Sequence, residues 1–124
     1  MPKKKVIAVL SDLMFTVKIQ DAAKRAGIEP VFVKTPEAAL TLAGEAPAAM
    51  ILDLNASDIR PLELIEKLKS TPETSKITLL GFVSHVQTDL INAARQKGCD
   101  IVVARSAFSQ QLVNFLEKLA GEPA

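Results

Sequence analysis

Three short runs of the chain, Val6 to Leu10, Met50 to Leu54 and Ile77 to Val83, are apolar almost without interruption. A strand with one face in water alternates apolar and polar residues, so unbroken runs of this length predict strands covered on both faces. Helices packed on either side of a parallel sheet supply such cover. Two further β-branched runs, Val31 to Val33 and Ile101 to Ala104, complete a set of five.

The segments between these runs carry helical spacing and helical punctuation. Phe15, Ile19, Ala22, Ala23 and Ala26 share one face, and Gly27 follows as a left-handed cap. Thr35 is placed to cap a second helix, with Pro36 at its first position and Glu37 beside the positive end of the dipole, and the helix stops near Gly44, before Pro47. A third helix carries Leu62, Ile65 and Leu68 before the breaker Ser70-Thr71-Pro72. A fourth runs from about Thr88 to Lys97 and ends at Gly98. A fifth aligns Leu112, Phe115, Leu116 and Leu119 before Gly121. Five strand-helix repeats joined by right-handed crossovers predict an α/β, doubly wound sandwich around a parallel five-stranded sheet.

With 124 residues the chain can bury about two-thirds of its unfolded surface, enough for one core without metal or disulfide. It reads as a single domain, 1–124, with loose ends at about 1–4 and 121–124. Fifteen basic against fourteen acidic residues leave a net charge of +1, so bulk attraction to nucleic acid or to an anionic membrane is not expected. A lone Cys99, no charged leader before an apolar secretory core, and no run approaching a bilayer span predict a cytoplasmic protein.

Ligands of doubly wound folds sit at the carboxyl ends of the strands. That rule singles out Ser11 and Asp12 after the first strand, Asp53 and Asn55 at the third, Val83 and Ser84 at the fourth, and Arg105 and Ser106 at the fifth. Two of these positions, Asp53 and Asn55, lie in a stretch with a family look. Met50-Ile51-Leu52-Asp53-Leu54-Asn55, then Pro61-Leu62-Glu63-Leu64, then Gly98-Cys99-Asp100 resemble the receiver domains of bacterial two-component response regulators, over nearly the whole chain. The resemblance implies a flavodoxin-like (βα)5 fold with strand order 2-1-3-4-5. It also implies Asp53 as phosphoacceptor, Mg2+ as cofactor, and a histidine kinase or other signalling protein as partner.

The rest of that family's pocket is altered. Leu10 and Ser11 stand where the family has two adjacent acids, and only Asp12, one place later, is acidic. Val83 replaces the hydroxyl residue of the fourth strand, with Ser84 next to it. Arg105-Ser106 replaces Lys-Pro, Val102 replaces the switch aromatic, and Ser57-Asp58 replaces Pro-Gly. Magnesium prefers octahedral oxygen coordination, so Asp12, Asp53 and Asn55 make a weak site at best. Arg105 keeps a positive charge in a different geometry, and Ser84 is the candidate substitute for the missing hydroxyl.

The resulting expectation is a stand-alone receiver-type signalling domain of a phosphorelay pathway, not an enzyme, acting as a monomer or weak homodimer through protein contacts. The altered pocket favours a pseudo-receiver mode, independent of phosphorylation. The competing class is a flavodoxin-like enzyme or small-ligand-binding protein using the same strand ends. It requires backbone donors from a Gly- or Ser/Thr-rich first loop, and Ser11-Asp12-Leu13-Met14 supplies few.

Other residues have plainer readings. Asp12 serves equally well as a helix N-cap, His85 reads as a loop residue near the site, and Cys99 as a small packed side chain. Lys3-Lys4-Lys5 reads as a solvated lead-in, and Phe108 as core in preference to an exposed docking point.

Overall fold

A computed structural model of the chain describes residues 4–85 and 87–120. Its five strands are β1 (Lys5–Val9), β2 (Glu29–Val33), β3 (Ala49–Asp53), β4 (Thr78–Val83) and β5 (Ile101–Ala104). They form one sheet in the order β2-β1-β3-β4-β5, and every pairing is parallel. The helices are α1 (Leu13–Ala26), α2 (Pro36–Ala43), α3 (Pro61–Ser70), α4 (Thr88–Lys97), α5 (Arg105–Gln110) and α6 (Leu112–Leu119). The alternation of runs anticipates the doubly wound sandwich, and the flavodoxin-like strand order is the one the family resemblance implies.

The period of two along each strand explains why the runs are unbroken. Val6, Ala8 and Leu10 enter one core with Ala49 and Ile51, under α1, α5 and α6, whereas Ile7 and Val9 enter the opposite core with Met50 and Leu52, under α2, α3 and α4. Each face is apolar, so the strand reads as apolar throughout. Two caps fall where the sequence places them. Gly27, at φ 73°, donates its N–H to the carbonyls of Ala23 and Lys24, and Thr35 Oγ1 accepts from the Ala38 amide at 3.1 Å.

The strand ends differ slightly from the runs: β1 and β3 each begin and end one residue earlier, and β2 begins at Glu29. Leu10, one residue past β1, is only 1% exposed, and its amide still donates to the Val33 carbonyl at 3.2 Å. The final helical stretch is two helices, not one, with a break at Gln111 (φ −120°, ψ 32°). The break lets Phe108 point into the sheet while Leu112, Leu116 and Leu119 turn onto the same core, which includes α1's buried face. Gln111 still donates its N–H to Ala107 and Phe108 carbonyls, so the interruption leaves that donor satisfied. A 3-10 turn over Ser57–Ile59 precedes α3 and had no counterpart in the expected pattern. Gly121, the expected end of the last helix, and residues 1–3 lie outside the described residues; α6 ends at Leu119 with Ala120 as its cap.

Candidate functional site

Parallel strands bring all their carboxyl ends to one edge, and Asp53 closes β3 at its centre. Its carboxylate is half-buried, and Oδ1 accepts the Asn55 amide at 3.0 Å. Burial pushes the Asp53 carboxyl above its ordinary value of 3.8, outweighing the Asn55 N–H and the charge of Arg105, which act the other way; Asp12 and Asp58 add to the rise.

That shift is a statement about stability. An acid whose folded-state value is raised destabilises the fold when ionised, and the penalty is complete above the folded value and relieved as pH falls toward 3.8. Asp53→Asn is therefore expected to raise the melting temperature at neutral pH, with the gain shrinking in acid. Thermal melts of both proteins at neutral pH and below pH 4 check this; a less stable variant at neutral pH would show that Asp53 has a compensating partner.

Asn55 acts through its side chain. Oδ1 accepts the Ser84 amide at 2.7 Å, and Nδ2 donates to Gln87 Oε1 at 2.7 Å. One amide thus ties the loop after β3 to the loop after β4. Ser84 is exposed and its backbone is held there, while Val83 is fully buried in the core beneath α3 and α4.

Asp12 has two engagements. Oδ1 caps α1 by accepting the Phe15 amide at 3.1 Å, and Oδ2 accepts from Arg105 Nη2 in an ion pair. The Arg105 hydrogen bond, followed by that of the Phe15 amide, holds the Asp12 carboxyl below the usual carboxylate range. Arg105 also lies over the Phe15 ring, 4.6 Å from its centroid, so the guanidinium is held from two sides. The pair borders a shallow cleft of about 360 Å³ that is also lined by Lys18, Ser84 and Ser106. Beside it, Leu13, Met14 and Val17 stand exposed on the first turns of α1.

The structure thus gathers Asp12, Asp53 and Arg105 at one edge, with Asn55 and Ser84 in the adjoining loops. Neither the Asp12–Arg105–Phe15 cluster nor the Asn55 tie was anticipated, because their members come from loops far apart in sequence. The residues present do not fit magnesium. Leu10 is buried and apolar, Asp12 is engaged twice, and among the described residues no group of three or more His, Cys, Asp or Glu is placed to hold a metal. A phosphate or flavin at the start of α1 fares no better, since Asp12 sets its own negative charge at that N-terminus.

The remaining candidates take plainer roles. His85 is exposed in the loop after β4. Cys99 is buried, and burial pushes its thiol up to about 11, which leaves it protonated and unreactive at neutral pH. Phe108 is fully buried.

No protein-family model matches the sequence, and no curated protein matches it significantly. Solved structures do. A putative response regulator from Chloroflexus aurantiacus superposes with a TM-score of 0.85 at 19% identity, covering 97% of this chain and 99% of that one. The phosphorylated cyanobacterial phytochrome response regulator RcpA gives 0.79 at 21% identity, over 94% and 91% of the two chains. The Mn2+-bound form of the response regulator Rcp1 gives 0.75 at 17% identity, again over 94% and 91%. The chain has the fold of response-regulator receiver domains.

Proposed function

We propose that this chain is a receiver-type signalling domain of a two-component pathway, a cytoplasmic binding module whose partner is a histidine kinase or another signalling protein. Asp53 is its candidate phosphoacceptor, and its partner-binding surface is largely indifferent to that modification. The observation that carries this reading is the Asp12–Arg105 pair beside Asp53, formed where a receiver pocket would be open to a cation. The fold supports the receiver assignment, and the lost acid, hydroxyl and aromatic support the pseudo-receiver mode.

A receiver switches only if the phosphoryl group interacts more favourably with one of two conformations. Val83 lies in the core and carries no hydroxyl, and the Ser84 backbone amide is held by Asn55. The test is to compare amide chemical shifts with and without a beryllofluoride adduct, after intact mass has shown whether acetyl phosphate modifies Asp53. Changes confined to the neighbours of Asp53, or no adduct at all, are expected. Large changes from Thr88 to Leu119 would mean that Ser84 couples the site to the distal face and that phosphorylation drives the domain.

Nothing favours a nucleic-acid partner for a chain of net charge +1. Among the described residues no helix is long and apolar enough to cross a membrane.

A further inference from the structure

We infer that Arg105 is a built-in counter-ion: its guanidinium, held between Asp12 and Phe15, takes the place of a divalent cation beside Asp53 and keeps such cations out. The inference rests on the receiver-type reading of this edge, and it concerns how the edge is neutralised. The charges of Asp12 and Asp58 raise the Asp53 carboxyl through space, and Arg105 acts on it the other way. Left alone, such carboxylates repel one another and attract a small hard cation. Here a charge that partly offsets them is covalently part of the chain.

The geometry of Arg105 suits that task. It is the first residue of α5, it pairs with Asp12 through Nη2, and its Cζ lies over the Phe15 ring, 4.6 Å from the centroid. Its side chain is 32% exposed and that of Asp12 is 35% exposed, so the pair is partly shielded from solvent. A guanidinium remains charged at every physiological pH and offers a planar fork to carboxylates, whereas an ammonium is a compact, strongly hydrated point charge. A cation arriving from solution must displace this fork from Asp12 before it gains a second carboxylate, and Leu10 supplies no further oxygen. Arg105 also lowers the Asp53 carboxyl through space, although burial outweighs it.

The test uses Mn2+ as an EPR-visible probe, with Mg2+ as competitor. The unaltered protein is expected to bind Mn2+ in the millimolar range or not at all. Arg105→Gln removes the charge and exposes Asp12 and Asp53 together, and Mn2+ should bind at least about tenfold more tightly, a change of about 1.4 kcal/mol. Adding Asp12→Asn, which retains the helix cap, should abolish that gain. Arg105→Met, whose unbranched apolar chain keeps packing on Phe15, repeats the measurement if the Gln variant folds poorly. Arg105→Lys should bind Mn2+ no more than severalfold more tightly than the unaltered protein.

Tight Mn2+ binding by the unaltered protein would overturn the inference, as would Gln and Met variants that bind no better. Its failure is separable from failure of the proposed function. Unchanged metal affinity alongside beryllofluoride shifts confined to Asp53 sinks only the counter-ion; gained affinity alongside shifts across α4 to α6 sinks only the pseudo-receiver mode.

Discussion

Replacing Phe108 by alanine is expected to cost about 3–5 kcal/mol of folding stability, the range for deleting a fully buried aromatic ring. Phe108 is 0% exposed and sits within 5.8 Å of the Phe15 and Phe82 centroids and 5.5 Å of that of Phe115. Phe15 and Phe82 are themselves 5.0 Å apart, so the ring occupies the centre of a four-membered aromatic cluster that α5 completes. Removing it leaves a cavity that three rigid rings fill poorly. Domains of this size are stable by about 5–15 kcal/mol, so the loss is a large share of the total. Urea denaturation should show a lower midpoint with an unchanged slope. Phe108→Leu, which keeps much of the volume, should lose less. A cost below about 1 kcal/mol for the alanine variant would mean that Phe115 swings into the vacated space, against the usual behaviour of rigid cores.

The second large effect is expected at Lys69. Its ammonium donates to the carbonyl oxygens of Ile77 at 2.9 Å and Ser75 at 3.2 Å, and pairs with Asp100 Oδ2 at 2.8 Å. One side chain on α3 thereby joins the approach to β4 with the approach to β5. The side chain is 20% exposed, and hydrogen bonds to charged groups contribute about 1.5–3 kcal/mol, so Lys69→Met should lose about that much. Gly98 belongs to the same arrangement: its φ is 111°, and a Cβ at this position would lie only 2.8 Å from Lys69 Cγ, so the glycine leaves room for the lysine stem. Gly98→Ala should therefore destabilise through both backbone strain and this collision. If Lys69→Met melts with the unaltered protein, the Asp100 carboxylate, which also accepts the Leu79 amide at 2.8 Å, holds the two strands unaided.

Those two cases separate what the residues reveal from what they conceal. The unbroken runs at Val6, Met50 and Ile77, together with Gly27, Thr35 and Gly98, announce strands and caps because each signal is local and repeats, whereas the strand order comes with the family resemblance. The position of Asp53 at the carboxyl end of a strand follows from the same pattern. The kink at Gln111 does not, since no Pro or Gly marks it and it arises from two docking demands on one stretch. Gly98-Cys99-Asp100 was legible as a family-like string, yet its reason, clearance for Lys69, comes from a residue 29 positions earlier. Around the candidate site, Asp12 was legible as a cap. Its ion pair was not, because nothing near Asp12 in sequence points to Arg105.

The Asp12–Arg105 pair joins residues 93 positions apart. A contact of such span forms late, because the chain entropy of closing the loop must be overcome before the contact contributes anything. On the ribosome, Asp12 and Asp53 emerge well ahead of Arg105, and until α5 docks they stand as uncompensated acids. The electrostatic character of the edge therefore reports whether the last strand and helices have taken their places.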